Sequence, residues 1–313
     1  MLIDLDDVRA AAARLQGKVR RTPMMPADQM LAPPADASLW LKLECLQVTG
    51  SFKARGATNR LLQTPPEKLK NGIVTASGGN HGLAVARAGR LAGVRTTVFL
   101  PETSSPAKRA KIAAWGADAR VVGAQWDQSN LAAHQFAEET GGTYFHPFAD
   151  RDVVAGQGTV ALEVLEEHPD TNVFLIAIGG GGLVAGMSTV IRALKPDARI
   201  IGIEPTGSPT LHASLAAGEA VTLPKVTTTI PTMGCGRTAD PIYEIAAKNI
   251  DEIVLLEDEQ MVEAAKWLWF EFGLSADASG AAAAAALRTG AVKVEKGDKV
   301  CILVCGSGTD GIG

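Results

Sequence analysis

The stretch Val173-Phe174-Leu175-Ile176-Ala177-Ile178-Gly179-Gly180-Gly181-Gly182-Leu183-Val184-Ala185-Gly186 decides the fold. An apolar run bounded by glycine suits a strand buried on both faces, and helical spacing resumes after the turn. Glycines let backbone amides close on an anion, and a helix start adds partial positive charge, so the same stretch reads as a phosphate cradle. A dinucleotide fingerprint fits less well, because that motif sits at the first strand of its fold, although Glu204 does lie at the spacing of its acidic residue, about 20 residues further on. Taken alone, four glycines serve equally well as a tight turn.

Working outward, strand-like runs recur at 73–75, 96–100, 120–122, 199–203 and 300–304. Helical patterns separate them at 83–91, 107–115, 130–140, 158–167, 184–194 and 260–272. This alternation predicts an α/β fold, and the chain length favours two lobes, each a mostly parallel sheet flanked by helices. The expected division is a large cofactor-binding domain of residues 1–69 and 145–313, with a small domain of residues 70–144 inserted in it. The six alanines of 281–286 predict a helix packed closely on a sheet. Residues 221–236, rich in threonine, proline and glycine, predict a loop with a role of its own.

Composition narrows the function. The chain has 313 residues, with 30 Lys+Arg against 34 Asp+Glu and no long basic run, which argues against nucleic acid and anionic membrane surfaces and for a small-molecule substrate. The strongly apolar run 173–178 is far too short to span a bilayer. The acidic start, Met1-Leu2-Ile3-Asp4-Leu5-Asp6-Asp7, lacks the order of a signal peptide, so a cytoplasmic protein is expected. Cys45, Cys235, Cys301 and Cys305 show no metal-binding spacing and are expected as free thiols.

A second candidate site lies near the N-terminus. Residues 38–44 alternate like a half-buried strand, and a helix should run from Phe52 to Leu62 with Thr49 to Ser51 as N-cap candidates. Lys53 then falls in the first turn, where the helix dipole and desolvation lower an amine's pKa and make it fit to form a Schiff base. A third stretch, Ser77-Gly78-Gly79-Asn80-His81-Gly82, links strand to helix and offers amides, a hydroxyl and a carboxamide to a carboxylate or a cofactor oxygen. His81 at a helix start reads better as a structural residue than as an acid–base group.

Together, Ser51-Phe52-Lys53-Ala54-Arg55-Gly56-Ala57, residues 77–82 and Gly179–Gly182 resemble the pyridoxal-phosphate enzymes of the tryptophan-synthase β-subunit fold, fold type II. The serine and threonine dehydratases and serine racemases are nearest. Arg21-Thr22-Pro23, Ala155-Gly156-Gln157-Gly158-Thr159 and Gly202-Ile203-Glu204-Pro205 extend the likeness over nearly the whole chain.

The resemblance implies that Lys53 carries pyridoxal phosphate, that Gly179, Gly180, Gly181, Gly182 and Leu183 hold its phosphate, and that Asn80 meets the ring hydroxyl. Phe52 would pack near the ring and Cys305 would face the ring nitrogen. Ser77, Gly78, Gly79, Asn80 and His81 would bind the substrate carboxylate. The implied reaction is β-elimination from a hydroxy amino acid such as L-threonine or L-serine, giving a 2-oxo acid and ammonia. A homodimer is the family expectation.

Three departures qualify it. Glu204 matches a divalent-cation ligand of some members, but Thr210 stands where a second carboxylate is expected, so no metal is assigned. Asp277 replaces a glutamate. Gly78 stands where racemases carry a serine, which ranks amino-acid racemase second; a non-catalytic protein that binds cofactor or amino acid is the alternative of another class.

Overall fold

A computed structural model describes residues 3–124 and 126–312. Residues 1, 2, 125 and 313 lie outside it, and with them the first two positions of the acidic start. The first half of the chain forms α1 (Leu5–Leu15), β1 (Met24–Pro26), β2 (Ser38–Lys42), α2 (Lys53–Gln63), α3 (Pro66–Leu69), β3 (Ile73–Ala76), α4 (Asn80–Ala92), β4 (Thr96–Leu100), α5 (Pro106–Ala114), β5 (Asp118–Val121), α6 (Trp126–Thr140) and β6 (Thr143–Tyr144). The second half forms α7 (Arg151–Glu167), β7 (Val173–Ala177), α8 (Gly182–Leu194), β8 (Arg199–Pro205), α9 (Thr210–Ala217), α10 (Asp240–Asn249), β9 (Glu252–Leu256), α11 (Asp258–Phe272), α12 (Ala278–Arg288) and β10 (Lys299–Leu303).

Two sheets result. One has six strands in the order β1-β2-β10-β7-β8-β9, parallel except for the antiparallel β1–β2 pair. The other has four parallel strands, β5-β4-β3-β6. Strand β7 and its glycine turn thus sit mid-sheet, as the wholly apolar sequence requires, and every residue of β7 is buried. Helix α12 carries the six alanines against β7 to β10; all six are buried, and side chains this small let the helix axis approach the sheet closely.

Helices α2, α7 and α8 pack almost backbone to backbone. A Cβ on Gly156 would lie 2.7 Å from Gly56 Cα, and one on Gly158 would lie 2.8 Å from the Gly186 carbonyl oxygen. This packing corrects one expectation: α7 begins at Arg151, capped by Asp150, rather than at 158. The glycines of Ala155–Thr159 look like helix breakers but lie inside the helix, where they allow close contact.

Beneath α2 lies a buried ion network. Arg55 Nε and Nη2 donate to the two carboxylate oxygens of Glu44 at 2.9 and 2.7 Å, and its Nη1 and Nη2 donate to Glu163 at 2.6 and 2.8 Å. Lys42 Nζ adds a 2.6 Å bond to Glu163 and donates to the Thr22 carbonyl. Arg55, Glu44 and Lys42 are all fully or almost fully buried, so each charge depends on its partners.

Candidate active site

Lys53 is the first residue of α2, and its Nζ donates to the Pro147 carbonyl at 2.8 Å. Burial lowers its pKa from 10.5 to about 8, so desolvation sets the shift. The expected hydroxyl cap is absent: Phe52, itself in helical conformation, occupies the N-cap, and Thr49 Oγ1 and Ser51 Oγ are buried without partners. Instead, Thr49 and Gly50 turn the chain with φ of 66° and 84°, and the Phe52 N–H is held by the Cys305 carbonyl at 3.2 Å.

Pro147 and its neighbour join this lysine to the glycine turn. A Cβ on Gly180 would collide with the Phe148 ring, and one on Gly182 would lie 2.9 Å from the Phe148 carbonyl oxygen. Gly181 has φ 90° and forms the N-cap of α8, a left-handed conformation that glycine alone adopts without strain. The first N–H groups of α8, from Gly182 and Leu183 onward, have no carbonyl acceptor within their own helix, and no side chain caps them. The 221–236 segment closes the far side, with Thr232 O 2.9 Å from where a Gly179 Cβ would be, and just beyond the segment Thr238 Oγ1 donates to the Gly180 carbonyl at 3.1 Å. Asp258 anchors this segment through Thr228 Oγ1 and the Thr229 hydroxyl, at 2.7 and 2.8 Å.

From the four-stranded sheet comes the third stretch. Ser77 Oγ accepts the Gly79 N–H at 3.3 Å, and α4 begins at Asn80 with no side-chain cap, leaving its first amides facing the cleft. Asn80 Nδ2 donates to Asp277 Oδ2 at 3.1 Å, a bond that crosses from one sheet to the other. Asp277 also caps α12 and accepts from Ser279 Oγ at 2.7 Å, while burial raises its pKa. Cys305 Sγ donates to the Ser279 carbonyl at 3.4 Å; burial, then the Asp277 charge, raises its pKa and keeps it a thiol. His81 Nε2 pairs with the Phe145 carbonyl at 3.2 Å, and burial followed by the Lys53 charge holds its pKa well below 6.5. It is a neutral imidazole with a structural bond.

Glu204 lies elsewhere. Its carboxylate oxygens accept the Leu211 and His212 amides at 2.8 and 2.9 Å, and burial lifts its pKa to about 7. Thr210 Oγ1 donates to the Cys235 carbonyl at 2.5 Å, so it ties α9 to the 221–236 segment.

The geometry thus sets a buried lysine amine with a pKa of about 8 beside a glycine turn at a helix start. Residues 15–306 match the model of the family described as pyridoxal-phosphate dependent enzyme. This chain belongs to that family.

Among relatives of this pyridoxal-phosphate enzyme, an L-threonine ammonia-lyase of Geobacter sulfurreducens is 38% identical over 96% of this chain and 74% of its own. Maize serine racemase superimposes with a TM-score of 0.92 at 30% identity, covering 98% of this chain and 94% of its own. The processed form of threonine deaminase isoform 2 from Solanum lycopersicum gives 0.87 at 28% identity, covering 98% and 91%.

The residues fit the cofactor. The amine is buried and, with its pKa lowered to about 8, gives up its proton far more readily than a solvated lysine, and a cradle that no Cβ could enter ends in unpaired helix amides. Sequence reasoning missed Pro147, Phe148, Thr232 and Thr238. The one available signal was the His146-Pro147-Phe148 run between β6 and α7, which carries no chemistry of its own until the fold seats it on Gly180. One pH prediction follows from Lys53: cofactor uptake by the apo-protein, followed by absorbance, should rise with pH and level off above about 8. Below that value the amine is an ammonium and cannot attack. A rate still climbing toward 10.5 would show a solvated lysine.

Proposed function

We propose that this enzyme eliminates water from a β-hydroxy amino acid such as L-threonine or L-serine, with release of a 2-oxo acid and ammonia. The observation that carries this reading is the buried Lys53 amine at about 8, hydrogen-bonded to Pro147 O beside the glycine cradle. An amine poised near the working pH is suited to take the proton from Cα. The bound cofactor supplies an electron sink for the resulting negative charge.

The chain's own residues divide the remaining work. Amides of Gly179–Leu183 would hold the phosphate, and Asn80, fixed by Asp277, would meet the ring hydroxyl. Phe52 packs beside the ring. Cys305, kept a neutral thiol by burial and by Asp277, would be the residue at the ring nitrogen, and a thiol would not force a proton on it, which suits prompt loss of the β-hydroxyl. Amides of residues 77–81 take the substrate carboxylate. Gly78 brings no proton-transfer group of its own, so elimination is preferred to racemisation. The names of the relatives, ammonia-lyase and threonine deaminase, support the same choice.

The two sheets support a division into a large part, 1–69 with 145–313, and a small part, 70–144. Family likeness supports a homodimer. Among the described residues no helix is long and apolar enough to cross a membrane. The test of function is direct: cofactor-loaded protein is given a panel of β-hydroxy amino acids, and 2-oxo acid and ammonia are measured. Absence of both products from every member would overturn the reading.

A further inference from the structure

A Cβ built on Gly78 would fall on the hydroxyl of Ser104, with Ser104 Cβ at 3.3 Å and Pro101 Cδ at 3.1 Å. Ser104 is only 8% exposed, and its Oγ is buried with no hydrogen-bond partner. It is not needed by its own loop: the Ser104 N–H bonds to Pro101 O at 3.0 Å, and the neighbouring Ser105 caps α5. A buried hydroxyl left unpaired is unfavourable, so its persistence calls for a partner that arrives later. The partner must be polar and must enter beside Gly78, at the uncapped start of α4, where the first helix amides also lack acceptors. An anion satisfies both sets of donors at once.

We propose that Ser104 is a substrate-binding residue, and that its hydroxyl donates to the substrate carboxylate through the gap that Gly78 leaves. This rests on the reading that the 77–81 loop binds an amino acid, and it adds a specificity-determining group from a different loop, 101–105. Gly78 and Ser104 form a complementary pair: one side chain is absent so that the other can reach the site. With no group hydrogen-bonded to its Oγ, the serine acts as a hydrogen-bond donor.

The test uses cofactor-loaded wild type, Ser104→Ala, Gly78→Ser and the Gly78→Ser/Ser104→Ala double variant. With L-threonine, Ser104→Ala should raise KM roughly tenfold or more with kcat changed little, as expected for a hydrogen bond to a charged group. L-Alanine, which has no leaving group, should lose affinity by a similar factor in a binding titration. Thermal stability of Ser104→Ala should be equal to or above wild type, because an unpaired buried hydroxyl has been removed; a merely structural serine would lower it. Gly78→Ser alone should lose activity by collision with Ser104, whereas the double variant should regain most of the affinity, since its hydroxyl enters the same gap from the other side. Unchanged KM and alanine affinity in an active Ser104→Ala protein would overturn the proposal while leaving the elimination reading intact. So would formation of the opposite enantiomer that depends on Ser104, which would assign it proton transfer. Inactive wild type would instead count against the reading of the reaction itself.

Discussion

Replacement of Lys53 by alanine should lower turnover of any β-hydroxy amino acid by at least about 10⁴-fold, because in the proposed reaction one amine both carries the cofactor and moves the Cα proton. The cradle does not involve that side chain. The variant should therefore still bind pyridoxal phosphate, released on dialysis, and should lack the visible absorbance band of lysine-bound cofactor. Circular dichroism should be unchanged, since the Lys53 side chain makes one hydrogen bond, to Pro147 O, and removing it unburdens α2 of a desolvated amine. Turnover within tenfold of wild type would remove Lys53 from the mechanism. Loss of cofactor binding altogether would show that the glycine turn is no phosphate site.

The largest effect on stability is expected at Arg55. Substitution with methionine leaves the carboxylate of Glu44, fully buried, without its two strongest donors and strips Glu163 of two more. Breaking such a pair costs about 3–5 kcal/mol, since an uncompensated charge stays inside. For a chain of this size that corresponds to a fall in melting temperature on the order of 10 °C. Exchanging Arg55 and Glu44 together for methionine and leucine should recover most of the loss, because the buried charge leaves with its partner. A chemical-denaturation series on the apo-protein measures both. A cost below about 1 kcal/mol for Arg55→Met would mean that the network is far better hydrated than its burial implies.

Much of the site is legible in the sequence because its chemistry is backbone chemistry. A strand, glycines and a helix start must be contiguous to form an anion cradle, so Val173 to Gly186 announces itself, as does the turn at Ser77. The lysine at the head of α2 is legible for the same reason. What escapes is contact between segments far apart in the chain. Nothing near Gly180 announces Phe148, and nothing near Gly78 announces Ser104, because each fills a space defined by a missing side chain elsewhere. The mistaken N-cap at Thr49 to Ser51 has a local cause: left-handed turns at Thr49 and Gly50 bring Phe52 into helical conformation first. The first turns of α7, from Arg151, escape because Gly156 and Gly158 are explained by close contact with α2 and α8, which no local pattern shows.

That shortened distance acts as a ruler. Lys53 stands one turn before Gly56, and Gly182 stands one turn before Gly186; Gly56 touches Gly156, and Gly186 touches Gly158, two residues apart on the same helix. The spacing from amine to cradle is thus gauged by main-chain atoms, which have no rotamers to adjust. Drift in substrate choice can then be accommodated in the loops at 77–81, 101–105 and 221–236 without detuning the lysine, whereas a single methyl group on any of the four gauge glycines would shift the whole catalytic frame.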